Sequence, residues 1–257
     1  MIRALLARRK QGYRTLDYPE RIPPLPERFQ GLPSLAAEFP AEAVRSSEDL
    51  CPTEAIGSDG TGPFLDLGRC LFCGRCARSQ PSLVRFSRDH ALSARKREEL
   101  LVRPGDRDYP HARPLEEALR RLYGRSLKLR QVSAGGCNAC EADVNVLSTI
   151  AFDLGRFGIQ MVASPRHADG LLVTGPVTGN MSLALQKTWE AVPPPRIVIA
   201  VGSCAISGGL FRDHPETEGG VAGRLPVDLF VPGCPPHPLT ILDGLLRLLG
   251  RLPAPRP

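Results

Sequence analysis

The residues with the most distinctive chemistry in this chain are its eight cysteines, Cys51, Cys70, Cys73, Cys76, Cys137, Cys140, Cys204 and Cys234. Thiols can pair as disulfides, attack electrophiles or ligate metals. The N-terminal residues carry positive charge but lack the apolar segment and small-residue cleavage site of an export signal, so a cytoplasmic protein with reduced thiols is expected. In that setting, cysteines two residues apart read as metal ligands. No phosphate loop or Ser-His-Asp set accompanies them, and Gly208-Gly209 lacks the spacing of a dinucleotide fingerprint. No catalytic residue is assigned.

The first four cysteines occur as Cys51-Pro52 and Cys70-Leu71-Phe72-Cys73-Gly74-Arg75-Cys76. The bacterial ferredoxin run is C-x2-C-x2-C-x3-C-P, whose fourth cysteine serves the other cluster of a pair. Here the triplet is intact, but Gln80 stands before Pro81 where that fourth cysteine would be, and no triplet precedes Cys51-Pro52. Both losses fall on the same cluster. The remaining Cys51, Cys70, Cys73 and Cys76 form a complete ligand set for one 4Fe-4S cluster, with Gly74 allowing a tight turn around the sulfurs. The competing reading is structural zinc, although zinc sites usually pair two C-x2-C knuckles.

Positioning the other four requires an alternating α/β pattern. Runs at 127–132, 158–162, 170–174, 197–201 and 228–231 are rich in Leu or β-branched residues, and helix-length amphipathic stretches occupy 141–156, 180–191 and 238–249. Together they predict an open, mainly parallel sheet, in which ligands collect beyond the carboxyl ends of the strands. Cys137 and Cys140 follow the first strand, Cys204 the fourth and Cys234 the fifth. Three loops with glycine beside cysteine converge on one rim and form a second four-thiolate site. For a lone Cys204 or Cys234, burial as a small hydrophobe is the ordinary alternative.

The region 13–86 resembles the two-cluster ferredoxin-like subunits that feed electrons in respiratory complex I and membrane-bound hydrogenases, with one cluster deleted. Gly136-Cys137-Asn138-Ala139-Cys140-Glu141, Pro165-Arg166-His167-Ala168-Asp169, Thr174-Gly175-Pro176-Val177-Thr178, Gly202-Ser203-Cys204 and Pro232-Gly233-Cys234-Pro235-Pro236 resemble the proximal-cluster subunit shared by NiFe hydrogenases and complex I. That resemblance spans about 127–250. It implies a flavodoxin-like parallel-sheet domain holding a 4Fe-4S cluster beside a large catalytic subunit. The separated Cys137 and Cys140 are similar to the energy-converting hydrogenase and formate hydrogenlyase branch, because the complex I subunit has adjacent cysteines there. With all eight thiols committed to two 4Fe-4S clusters, the bimetallic centre belongs to the partner. Glu141 either relays protons, as the resemblance implies, or serves as an acid in the first turn of a helix; His167 and His237 read as packing or partner-contact residues.

The expected organisation is a tether with a docking helix at 1–35, a small ferredoxin-like α+β domain at 36–90, a helical linker at 91–126, the flavodoxin-like domain at 127–250 and a tail at 251–257. At 257 residues and 42% hydrophobic, the chain can bury cores, and its 26 prolines make it rich in loops. Residues 19–33 hold five prolines and read as a tether laid over another subunit. No apolar run reaches the ~20 residues of a membrane span. Residues 1–130 carry 24 Lys and Arg against 17 Asp and Glu, a surplus suited to anionic lipid, an acidic partner, nucleic acid or plain solvation. The main reading is a peripheral electron-transfer subunit on the cytoplasmic side of the inner membrane, without a nucleic-acid partner. It contacts the membrane indirectly and works with a large hydrogenase-like subunit and other subunits of a membrane-bound complex. A complex I-like quinone or ferredoxin oxidoreductase subunit and a zinc-stabilised nucleic-acid-binding or scaffold protein are the alternatives.

Overall fold

A computed structural model describes residues 2–38, 40–106 and 109–252. Of the expected tail, 253–257 lie outside the described residues. Helix α1 (Ile2–Gln11) forms as its pattern predicts but buries none of its residues. The proline-rich stretch after it lies over the chain's own body. The Leu16 amide donates to the Ala151 carbonyl at 2.8 Å, Arg156 donates to the carbonyls of Leu16 and Tyr18, and Arg88 donates to those of Leu25, Pro26 and Glu27. The expected tether is therefore an internal strap. Its backbone lacks regular partners, and arginines from both halves of the chain satisfy its carbonyls.

The N-terminal half contains β1 (Pro33–Leu35), α2 (Ala41–Leu50), β2 (Ile56–Asp59), β3 (Gly62–Asp66), α3 (Arg75–Ser79), β4 (Val84–Phe86) and β5 (Leu101–Val102). Strands β1 and β4 pair antiparallel, and β3 pairs antiparallel with both β2 and β5. Strand β5 comes from the stretch expected to be a helical linker. That stretch is instead a 3-10 turn at Arg97–Leu100, β5, irregular backbone and α4 (Glu117–Tyr123). Leu100 and Val102 are buried against this half, so burial overrides the helical pattern of the surrounding arginines.

The C-terminal half runs β6 (Leu127–Ser133), α5 (Ala139–Val146), β7 (Ile159–Met161), β8 (Gly170–Thr174), α6 (Gly179–Ala191), β9 (Ile197–Val201), α7 (Ser203–Ser207), β10 (Leu229–Val231) and α8 (Pro238–Leu248). Its sheet has the order β10-β9-β8-β6-β7, every pair parallel. Counted from β6, this is the 2-1-3-4-5 order of flavodoxin-like sheets, with its switch point between β6 and β8. Strands β8, β9 and β10 are buried throughout, as expected of parallel strands covered on both faces. Helix α5 ends earlier than its pattern predicts: the Thr149 hydroxyl donates to the Val146 carbonyl, and tight three-residue bonds close the last turn.

Two cores result. One face of the sheet (Val132, Leu171, Val173, Val198, Ala200, Phe230) is continuous with the core of the N-terminal half (Val44, Ile56, Leu65, Leu67, Leu83, Val102). The other face packs Leu129, Leu172, Ile199 and Val231 against α5 and α8, with Tyr18 of the strap included. The two halves share apolar burial and are not joined merely by a linker.

Candidate metal centres

Cys51 caps the end of α2, and its Sγ accepts the Ala55 amide at 3.2 Å. Cys70 follows β3 on a turn organised by Asp66, which accepts the Gly68 amide at 2.8 Å and pairs with both terminal nitrogens of Arg97 at 2.8 and 2.5 Å. The Phe72 amide points at Cys70 Sγ at 3.2 Å, and Gly74 takes a φ of +66° to begin α3, which carries Cys76. Cys51, Cys70, Cys73 and Cys76 thereby line one pocket, closed by Ile56, Leu65 and Phe86.

The second pocket lies at the carboxyl ends of the parallel strands. Cys137 follows β6, Cys140 opens α5, Cys204 lies in α7 directly after β9, and Cys234 follows β10. All four line a pocket close in size to the first, together with Glu141, Ser203 and Pro235. Close approach requires glycine at Gly202: at φ +93°, a Cβ there would sit 2.5 Å from Cys140 Sγ. None of the eight cysteines is in a disulfide. The sulfurs surround pockets and do not converge on a point; among the described residues no three His, Cys, Asp or Glu side chains are gathered as a single ion would require.

Burial is the largest influence on these thiols. It pushes Cys70 and Cys140 well above the ordinary thiol value, with the other cysteines of each quartet adding to the rise and the Phe72 amide opposing it at Cys70. Burial also raises Cys76 and Cys234, and takes Cys204 up to about 11. Four adjoining thiolates in a partly buried pocket repel one another, and a bound cationic centre is what makes their ionised form favourable. The donor set therefore fits a thiolate-ligated metal centre in both places.

Glu141 is buried beside Cys140, and its Oε1 accepts the Ser133 and Thr174 hydroxyls, each at 2.6 Å. Burial pushes its carboxyl up, but the two hydroxyls and a backbone amide together outweigh it and hold the group below the usual carboxylate value. His237 caps α8 by accepting the Leu239 amide at 3.1 Å and meets the Phe29 ring edge-on, a packing role; His167 is exposed.

The sequence reading missed the contact between the two sites. Ser203, next to Cys204, donates its hydroxyl to the Cys70 carbonyl at 2.6 Å, and Ser207 donates to the Gly68 carbonyl at 2.9 Å. Cys73 lies close enough to Cys234 to add to the rise of that thiol. Nothing in the local pattern around Ser203 signals a partner 133 residues away.

Comparison with known proteins identifies relatives of about half of the chain. The probable membrane-bound hydrogenase subunit mbhJ of Pyrococcus furiosus is 43% identical over 132 residues, covering 51% of this chain and 79% of that protein. Formate hydrogenlyase subunit 7 of Escherichia coli is 42% identical over 138 residues; the chain spans about half its length, 54% of each protein being covered. An NADH-quinone oxidoreductase subunit of Desulfovibrio desulfuricans is 41% identical over 126 residues, covering 49% of this chain and 68% of that protein. The family profile described as NADH ubiquinone oxidoreductase, 20 Kd subunit, matches residues 137–248, from the first cysteine of the second quartet to the last residue of α8. With the parallel sheet, the family profile and these relatives in agreement, the chain belongs to the NADH ubiquinone oxidoreductase 20 kDa subunit family.

Proposed function

We propose that the chain is the electron-transfer subunit of a membrane-associated, hydrogenase-like oxidoreductase complex and carries two 4Fe-4S clusters. Cys51, Cys70, Cys73 and Cys76 hold one; Cys137, Cys140, Cys204 and Cys234 hold the other. The observation that carries this reading is that each of two similarly sized pockets is lined by one complete quartet, with no cysteine left over. When bound, the clusters supply one-electron redox chemistry. The chain's own residues hold the sulfurs, aim the Ala55 and Phe72 amides at them and shield them with Ile56, Leu65 and Phe86, all of which tune a cluster's potential. Bond chemistry then belongs to a large subunit.

Among the described residues no helix is long and apolar enough to cross a membrane. Exposed Ile2, Leu5 and Leu6 on α1, among Arg3, Arg8, Arg9 and Lys10, support peripheral docking. The relatives named as NADH-quinone oxidoreductase subunits favour a second reading, the equivalent subunit of a nickel-free quinone or ferredoxin oxidoreductase. A co-purifying large subunit with or without nickel separates the two.

The test is metal analysis of anaerobically purified protein. Roughly eight irons and eight acid-labile sulfides per chain are expected. Cys51→Ala should remove only one paramagnetic signal and Cys234→Ala only the other. Stoichiometric zinc without iron would overturn the reading.

A further inference from the structure

The α7 segment does more than carry Cys204. Both hydroxyls of this five-residue turn reach carbonyls of the loop that delivers Cys70, while also bonding within the C-terminal half. Ser203 Oγ donates to the Cys70 carbonyl at 2.6 Å and also lies 3.2 Å from the Gly233 carbonyl, beside Cys234. One turn later, Ser207 Oγ donates to the Gly68 carbonyl at 2.9 Å. Ser203 is 1% exposed and its amide donates to the Gly233 carbonyl at 2.8 Å, so backbone on both sides fixes where its side chain points. Gly68 has no room for a side chain: a Cβ would stand 2.8 Å from Ile206 of the same turn and 2.8 Å from Arg97. Past the turn, the Arg212 guanidinium reaches the Glu54 carboxylate at 2.7 Å, next to the Cys51 loop.

We infer that Ser203 is a positioning residue that sets the separation of the two cysteine quartets, linking the Cys70 backbone to the Cys204 and Cys234 loops through one buried hydroxyl. This rests on the two-quartet reading above. Electron transfer between the sites takes one electron from one and gives it to the other, with no bond made or broken and no atom moved. The chain's contribution is therefore a fixed gap and a connected path across it. A carbonyl in the N-terminal quartet loop, hydrogen-bonded to the residue preceding Cys204, provides both. A buried hydrogen bond of this length tolerates little displacement before it is lost.

The experiment uses the full chain with both sites loaded, comparing wild type, Ser203→Ala and Ser203→Thr. Two readouts are taken: the mutual broadening and splitting of the paramagnetic signals when both sites are reduced, and amide hydrogen exchange across residues 67–70. Ser203→Ala should keep the full iron content and both single-site signals, weaken the splitting, and speed exchange at 67–70 severalfold. Ser203→Thr, which keeps a hydroxyl, should restore both readouts. Unchanged splitting and exchange in Ser203→Ala would overturn the inference, as would loss of a site, which would make the hydroxyl part of cluster retention. If wild-type protein held no iron, the two-cluster reading would fail, whereas the exchange comparison would still decide whether Ser203 anchors the Cys70 loop.

Discussion

Replacing Gly202 by alanine is a demanding test of the rim quartet, because it adds one methyl group at a single point. Gly202 has φ +93° and ψ 155°, a region essentially reserved for glycine, where another residue costs about 1–3 kcal/mol. The new methyl would stand 2.5 Å from Cys140 Sγ. Ordinary heavy-atom contacts lie at about 3.5–4.0 Å, so the sulfur or the backbone must retreat by about 1 Å. Overpacking of that kind costs about a further 1–3 kcal/mol. The sum, about 2–6 kcal/mol, is borne at the site and lies below the middle of the ~5–15 kcal/mol that stabilises a typical domain, so a chain of ordinary stability should stay folded with a displaced ligand. Iron per chain should drop from roughly eight to roughly four, with only the Cys51–Cys76 signal remaining. Gly223→Ala, where a Cβ meets nothing within 4 Å, is the control and should keep full iron. Full iron content and an unchanged rim signal in Gly202→Ala would refute the reasoning.

The strap makes a separate prediction. Tyr18 donates to Asp243 at 2.9 Å, and both are buried, so Tyr18→Phe should lower unfolding stability by about 1.5–3 kcal/mol in denaturant titration while iron content holds. His90, 3.2 Å from the Tyr18 hydroxyl, and His111 are both held below the ordinary histidine value of 6.5, by burial first. A lowered folded value favours the neutral ring, so the stability these histidines contribute is present above pH 6.5 and lost as pH falls from there toward the folded values. The denaturation midpoint should therefore decline on acidification below that pH, and His90→Gln should shrink the decline; a flat profile would contradict it. For metal-free protein the sign reverses at the alkaline end. Cys204 at about 11 against an ordinary 9.0 contributes stability that is present below pH 9.0 and lost as pH rises through about 11, and bound metal should abolish that loss. Arg212→Ala should cost less than about 1 kcal/mol through its ion pairs, because its partners Glu54 and Asp213 are solvent-exposed carboxylates.

How much of this was legible in sequence follows from the range of the interactions involved. Cys70, Cys73 and Cys76 sit within seven residues of chain, and their spacing, with the Cys51-Pro52 dipeptide, was enough to group the four. The rim quartet was legible for another reason: in a parallel sheet every strand exits at the same edge, so locating five strands also locates the loops carrying Cys137, Cys140, Cys204 and Cys234. Strand β5 was not legible, because its two residues pair with β3 across more than thirty positions of chain and show no periodicity of their own. The strap's proline content was visible but not its partner, since Tyr18 meets Asp243 at a separation of 225 residues.

The same distinction bears on what the N-terminal half is for. An electron carrier on a loose tether meets its partner at many distances, and an encounter of that kind leaves few buried contacts between the two. Here the contacts are redundant, and the apolar ones among them are buried. The N-terminal core runs into one sheet face, Ala94 and Phe230 exchange both backbone hydrogen bonds at 2.9 and 3.1 Å, and the strap is bonded to Ala151, Arg156 and Arg88. Each is an ordinary stabilising interaction, but together they hold the Cys70 loop against the turn that bears Cys204 with no freedom to swing. A carrier evolved to shuttle would lose function under such restraint. The relay proposed above would depend on it, and so the Ser203 hydroxyl, invisible to any motif, is the residue on which that proposal makes its most specific structural demand.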